Sequence, residues 1–458
     1  MNLKEREASR HLAKTLLPDL ADQGVVAVAT TFVDNSGIAR VKSVPLARLP
    51  HLAAWGAGFS TVFDYFRFDD WVAAPATGEG PIGDLRIIPD LNRVVVLAGQ
   101  PGWAWAPGNR YRQDGEPHDQ CNRLLLRGLE DELAEDGIEF RAAFEIEWVV
   151  SQGPGDEFTP GVGGAAYGMS RLIEASEYSR DVIAALSDEG VLVEQFHPEY
   201  AAGQFELSVS PETPTDAADT SVLVRATIRS VGESYGFRTS FSPKVDVAGV
   251  GNGGHVHLSL WNGQTNLMAG GEGPFGLTET AAAFGAGVLE RLPALLAIGA
   301  PGVASYLRLV PQHWAGAYAC WGLENREAAI RMVTGSAGSS HLAANLEIKC
   351  FDLQANPYLA LSALIIAGQA GIADGSRLPD PVDVDPAALT DKELKRRGIA
   401  RLPTTLRAAV DAFVADDALV AGLGQPLVDS IVAVRESEME LFSSATPEQV
   451  AAATRWTH

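Results

Sequence analysis

The chain has 458 residues, 46% of them hydrophobic and 20% charged, with a formal net charge of -23. That length is enough for two or three domains, or one large domain with a smaller one, and the composition is that of a globular protein. The negative charge excludes nucleic acid, whose phosphates select Lys and Arg, and disfavours docking on anionic membranes.

Met1 to Glu7 is too charged for a secretory leader. A charged amphipathic helix is expected up to about Ala21, then a strand from Val25 to Val33. Asp34-Asn35-Ser36-Gly37 has hairpin-turn chemistry, with Ala39 to Val44 as the returning strand. Arg93 to Leu97 is a further β-branched run, and the Gly/Pro/Trp-rich stretch from Gly99 to Gly108 reads as a bridge between domains. Beyond it come a helix over Asn122 to Glu135, a strand over Glu139 to Val150, a helix over Arg180 to Ser187 and a strand over Val191 to Phe196. Helices follow at Leu277 to Gly299, Pro357 to Gly371, Thr405 to Phe413 and Leu427 to Phe442. The most apolar run, Tyr358 to Ala373, contains Ser362 and Gln369 and falls short of the ~20 apolar residues of a membrane helix. Cys121, Cys320 and Cys350 are odd in number and widely spaced, which suits a reduced cytoplasm and neither a disulfide framework nor a zinc cluster. Strands and helices interleaved in this order predict an α+β fold with an antiparallel sheet.

The richest segment runs from Gly249 to Trp261. Alternation along a strand puts His255, His257 and Ser259 on one face and Val256, Leu258 and Leu260 on the other. The glycines precede a strand rather than a helix, which removes a dinucleotide fingerprint. Glu145 and Glu147 share one face of the strand around Ile146, and carboxylates so close repel unless a cation lies between them. His197 to Ser208 adds Glu199 and Glu206, and Leu346 to Lys349 adds Glu347. Five Glu with His255 form an oxygen-rich set suited to Mg²⁺ or Mn²⁺. Arg308, Arg326 and Arg331 supply guanidinium forks for phosphate or carboxylate. No GxxxxGK[ST] is present, so a nucleoside triphosphate would be held without a P-loop.

These segments in this order resemble the glutamine synthetase superfamily over nearly the whole chain: the Glu145/Glu147 strand, His197 to Glu206, the HxHxS strand, Asn325 to Arg331, and Glu347 to Leu359. The resemblance implies a small N-terminal β-grasp domain over residues 1–105 and a large ATP- and metal-binding catalytic domain over 106–458. It implies at least two metal ions per site, one held by Glu147, Glu199 and Glu206 and the other by Glu145, His255 and Glu347. His257 and Ser259 would contact ATP, with Arg326 and Arg331 on its phosphates. Arg308 would meet the substrate carboxylate. Arg308 and Arg326 are thus the expected catalytic pair, and Gly251, Arg308, Trp314 and Lys349 the expected substrate-binding residues. Sites at subunit interfaces, in a homo-oligomer of two stacked hexameric rings, are also implied.

The departures from the family lie in the substrate half. Gly58 to Phe66 lacks the Asp-Gly-Ser-Ser segment that helps bind ammonium, and Trp314 stands where a flap Glu normally deprotonates it. Val250 replaces an Asn, Lys349 an Arg, and Val245 a Pro. A Trp cannot supply the charge of an ammonium pocket, but it can wall an apolar cavity. The expected activity is therefore an ATP-dependent ligase joining glutamate to an organic amine such as a polyamine or ethanolamine. The alternatives are a glutamine synthetase using ammonia, and a non-catalytic structural or regulatory assembly.

Overall fold

The computed structural model describes residues 1–73 and 82–458. The first helix, Leu3–Asp22, begins at a capping box in which Asn2 and Glu5 satisfy each other's backbone N–H groups. Six strands follow: β1 (Ala27–Val33), β2 (Ala39–Pro45), β3 (Ala57–Ser60), β4 (Asp84–Pro89), β5 (Val95–Val96) and β6 (Trp103–Arg112). They form one sheet in the order β2-β1-β6-β4-β3, with β5 also on β6. The hairpin around Asp34–Gly37 forms as expected, with β1 and β2 antiparallel.

The stretch expected to be a bridge is instead a central strand of this sheet. β6 lies parallel to β1 through Thr31–Pro107 and antiparallel to β4 from Pro89–Gly108 onward. Pro107 is tolerated because it sits where β6 passes from one partner to the next, and its carbonyl still accepts the Asp90 N–H at 2.8 Å. The expected division at 105/106 falls inside this strand, and the next helix starts at Asn122.

The larger sheet is built from β7 (Glu139–Gln152), β8 (Val193–Pro198), β9 (Gln204–Val209), β10 (Phe237–Ser240), β11 (Gly254–Asn262), β12 (Thr265–Asn266), β13 (Tyr318–Leu323), β14 (Ala328–Val333), β15 (Asn345–Ile348) and β16 (Ala400–Arg401). Its order is β16-β13-β14-β15-β11-β7-β9-β8, with β10 on β7 and β12 on β11. The fold is α+β. The antiparallel expectation holds apart from the β13–β14 pair, which is parallel.

Helix Pro214–Ser234 has no counterpart among the expected elements. It buries Val222, Leu223, Val224, Ile228 and Val231 together with Thr, Ser and Asp219 on neighbouring sides, so no single apolar stripe announces it. The helices Glu279–Gly299 and Pro357–Asp374 are long and apolar enough to cross a membrane, the second including the run expected to fall short. Here both lie in the protein's own core, with Leu292, Leu295, Leu361, Leu364 and Ile365 fully buried.

Two close approaches fix the frame. A Cβ on Gly37 would stand 1.9 Å from the Gln354 carbonyl oxygen, so the hairpin turn presses directly on the catalytic part. Asn356 Nδ2 donates to the carbonyls of Val33 at 3.0 Å and Asp34 at 3.2 Å, and Asn122 Nδ2 also donates to Val33, at 3.1 Å. Between the two apolar helices, a Cβ on Gly371 would stand 2.3 Å from Ala283 O and 2.6 Å from Gly287 Cα. Gly371→Ala must therefore push the helices apart, with an expected loss of about 1–3 kcal/mol, read as a lower denaturant midpoint. A variant as stable as wild type would show that this crossing is loosely packed.

Candidate active site

Strand register assembles the site. His255 on β11 lies opposite Glu145 on β7, and His257 lies opposite Glu347 on β15. Glu147 on β7 lies opposite Glu206 on β9, which in turn faces His197 on β8. Arg331 on β14 pairs with Glu347. Residues two apart share a face, so five neighbouring strands bring one continuous patch of carboxylates and imidazoles to one side of the sheet.

The distances make three clusters, in each of which one ligand atom per residue lies within 4.8 Å of the others: Glu145, His257 and Glu347; Glu145, Glu147 and His255, which shares Glu145 with the first; and His197, Glu199 and Glu206. The six expected ligands are together, but they divide differently from the expected pair of triads. Glu147 Oε2 is turned toward β11 by the Gly253 N–H at 2.8 Å and by Gln204 Nε2 at 3.2 Å. His197 Nε2 lies 3.0 Å from Glu206 Oε1, which makes His197 part of a cluster in which no role was expected of it. Its alternation with Glu199 in the sequence was the available signal.

His255 Nδ1 lies 2.6 Å from Glu145 Oε1, and Nε2 lies 3.0 Å from an Arg308 guanidinium nitrogen. Arg308 can only donate, so Nε2 accepts and the proton on Nδ1 goes to Glu145. A cation bound through His255 would displace one of these partners. Glu347 is held by Lys349 Nζ at 3.0 Å and by Arg331 at 3.0 Å. Burial alone would raise its pKa, but Lys349, His257 and His255 outweigh burial and hold it at about 2.

Among the described residues, no Lys or Arg pairs with the carboxylates at the opposite end of the patch. Burial drives Glu206 upward, and the carboxylates of Glu145, Glu147 and Glu199 add to it against the hydrogen bond from His197. Burial likewise raises Glu147. Buried carboxylates that repel one another fit a divalent cation with oxygen ligands.

A cavity of about 860 Å³ lies over the patch, lined also by Tyr167, Val250, Gly251, Arg308, Trp314, Arg326, Arg331 and Lys349. Arg308 is buried and fixed by the carbonyls of Phe351 at 3.2 Å and Lys349 at 3.1 Å. Arg331 is tied to Glu324 as well as Glu347, whereas Arg326 is exposed with its guanidinium carbon 5.6 Å from the Trp314 ring centroid. His257 Nδ1 pairs with Asn345 Oδ1 at 2.9 Å. Ser259 stands farther along β11 with Oγ accepting from Trp261 Nε1 at 2.9 Å, and it does not line this cavity. Glu327, for which no role was expected, accepts the N–H groups of Gln312 at 3.1 Å and Trp314 at 2.9 Å and so shapes the loop carrying Trp314. Both residues have positive φ, 61° and 53°, the conformation that this anchoring maintains.

Residues 119–452 match the glutamine synthetase catalytic domain model. The chain belongs to the glutamine synthetase family. It is thus an ATP-dependent carbon–nitrogen ligase of a family that uses divalent metal. It is 52% identical over 447 residues to a gamma-glutamylpolyamine synthetase of Streptomyces coelicolor, covering 97% of this chain and 96% of the relative. Among glutamine synthetases, that of Thermotoga maritima is 31% identical, covering 94% of this chain and 96% of the relative. A crystal structure of a novel glutamine synthase homolog superposes with a TM-score of 0.85 at 34% identity, covering 95% of this chain and 99% of its own.

If the patch holds divalent metal, Mn²⁺ at a hundredfold excess over Kd should stabilise the protein by about 2.7 kcal/mol. Glu147→Ala and Glu206→Ala should lose most of that rise in a thermal melt without nucleotide. A full Mn²⁺-induced rise in both variants would place the ion elsewhere.

Proposed function

We propose that this protein joins the γ-carboxylate of glutamate to an organic amine, with ATP hydrolysed to ADP and phosphate through an acyl-phosphate intermediate. The observation that carries this reading is the cavity's carboxylate inventory. Among the described residues, every carboxylate lining it (Glu145, Glu147, Glu199 and Glu206) belongs to the ligand clusters. Glu327, the carboxylate bonded to the loop that carries Trp314, is buried and engaged by backbone N–H groups. In place of an ammonium-binding carboxylate stands Trp314, 52% exposed, offering an apolar wall. The similarity to a gamma-glutamylpolyamine synthetase supports a polyamine as the amine.

In this reading Glu145, Glu147, Glu199, Glu206, His255 and Glu347 hold at least two Mg²⁺ or Mn²⁺ ions. The ions would offset charge on the transferring phosphoryl group. Arg308, rigid in its carbonyl clamp, orients the amino-acid carboxylate, with Gly251 and Lys349 beside it. Arg326 and Arg331 approach the phosphates, and the nucleotide would have to extend along β11 beyond the cavity's lining to meet His257 and Ser259. The γ-carboxylate oxygen attacks the γ-phosphorus as ADP leaves; the amine nitrogen then attacks the acyl carbon and expels phosphate. A likeness to GmaS in complex with ADP, with a TM-score of 0.83 at 26% identity, supports the nucleotide.

The cavity takes no lining residue from the described part of the N-terminal sheet. In this reading a neighbouring copy supplies that wall within a homo-oligomer, with two hexameric rings as the family arrangement. The three buried free cysteines support a cytoplasmic setting. If sites are shared, dilution should abolish activity together with assembly, followed by light scattering and turnover on the same samples. A monomer as active as the assembly would contradict the shared site.

Phosphate release should be screened across amines with glutamate, ATP and Mg²⁺ fixed. Ammonium turnover that no amine exceeds would favour glutamine synthetase, and no turnover with any acid–amine pair would favour a non-catalytic assembly. Trp314→Glu should lower the ratio of kcat/KM for the best amine to that for ammonium by about tenfold or more, because the carboxylate attracts ammonium and removes apolar contact. An unchanged ratio would remove Trp314 from the acceptor site.

A further inference from the structure

A second cavity, of about 550 Å³, opens between the N-terminal sheet and helix Pro214–Ser234, and shares no lining residue with the catalytic cavity. Leu97, Trp105 and Val222 give it an apolar wall, while Arg225 and Arg229 face it from the helix. These arginines are one turn apart, where like charges repel. Arg225 donates to the carbonyls of Ser221 at 3.3 Å and Leu353 at 2.9 Å. The Arg229 guanidinium carbon lies 5.6 Å from the Phe241 ring centroid.

Among the described residues, neither guanidinium has a carboxylate within 4.0 Å. Glu233, exposed at the rim one turn beyond Arg229, is the acidic group that acts on Arg229 from a distance. Burial, with repulsion from Arg229, pulls Arg225 down to about 10, and burial pulls Arg229 down too. Two half-buried, mutually repelling forks beside an apolar wall are complementary to an anion that carries an apolar group.

We propose that this cavity is a second ligand site, taking a small organic carboxylate or phosphate whose anionic group bridges Arg225 and Arg229 while its apolar part lies on Leu97, Trp105 and Val222. The site is independent of the amine-ligase reading, since nothing in it touches the catalytic patch.

The test is titration calorimetry on the full-length protein without nucleotide or metal, with phenyl phosphate and benzoate as probes and benzyl alcohol as the neutral control. At least one anionic probe should bind saturably at one site per chain, and the stronger of the two identifies the anion class. Arg331→Gln, which alters only the catalytic cavity, should leave that binding intact. Arg229→Gln should weaken it by about tenfold or more. The Arg229 side chain makes no hydrogen bond among the described residues, so its replacement leaves the helix's own hydrogen bonds in place. Ala226→Glu, at an exposed lining position, should weaken binding similarly with both arginines in place. Wild-type binding by both folded variants, loss of binding in Arg331→Gln, equal binding of benzyl alcohol, or no saturable heat with either anion would each overturn the proposal.

Discussion

The structure depends on holding mutually repelling carboxylates side by side. Glu145, Glu147, Glu199, Glu206 and Glu347 converge on one face of the large sheet, and burial magnifies their repulsion. A flexible scaffold would let them separate. Here Glu145, Glu147, Glu206 and Glu347 are fixed by strand register, with Glu199 directly after β8: β15, β11, β7, β9 and β8 lie side by side, and the pairings with His255, His257 and His197 are set by backbone hydrogen bonds. Their other faces carry Val256, Leu258, Ile146, Trp148 and Leu207, all at or near full burial. The core thus supplies the energy that keeps the charged face assembled.

The patch is electrostatically graded. At the β14–β15 end, Lys349 and Arg331 serve Glu347 directly, and that carboxyl stays ionised far below neutral pH. At the β8–β9 end the imidazole of His197 lies against Glu199 and Glu206, and among the described residues no Lys or Arg pairs with either carboxylate. Arg308 bridges the two regimes through His255 while two main-chain carbonyls hold it in place, so it is positioned before any substrate arrives. The turn Asp34–Gly37 is one of the links to the N-terminal sheet, pressed on Gln354 and tied to Asn356 and to His458, whose Nε2 lies 2.7 Å from the Ser36 carbonyl.

Much of this was legible in the sequence because it is local. The amphipathic first helix, the hairpin, the long strand around Ile146, the alternating strand around His257 and the apolar C-terminal helices all follow from periodicity and turn residues. Ordered motifs likewise led to the family, since few folds need those carboxylates in that succession. Among the elements that escaped are helix Pro214–Ser234, buried on so many sides that no amphipathic stripe marks it, and β6, whose glycine, proline and tryptophans resemble a linker until β1 and β4 pair with it.

The sequence by itself determined which side chains are available and which share a face, because side-chain direction along a strand obeys a period of two. It could not determine which faces meet. That His197 closes on Glu206, that Glu147 leans toward His255, that Lys349 is spent on Glu347, and that Glu327 anchors the Trp314 loop are decided by contacts between segments distant in the chain. Ser259 shares a strand face with His255 yet stands clear of the catalytic cavity, because the strand runs past the cavity's edge. Pairing register and sheet order fix such distances, and both are properties of the folded chain as a whole.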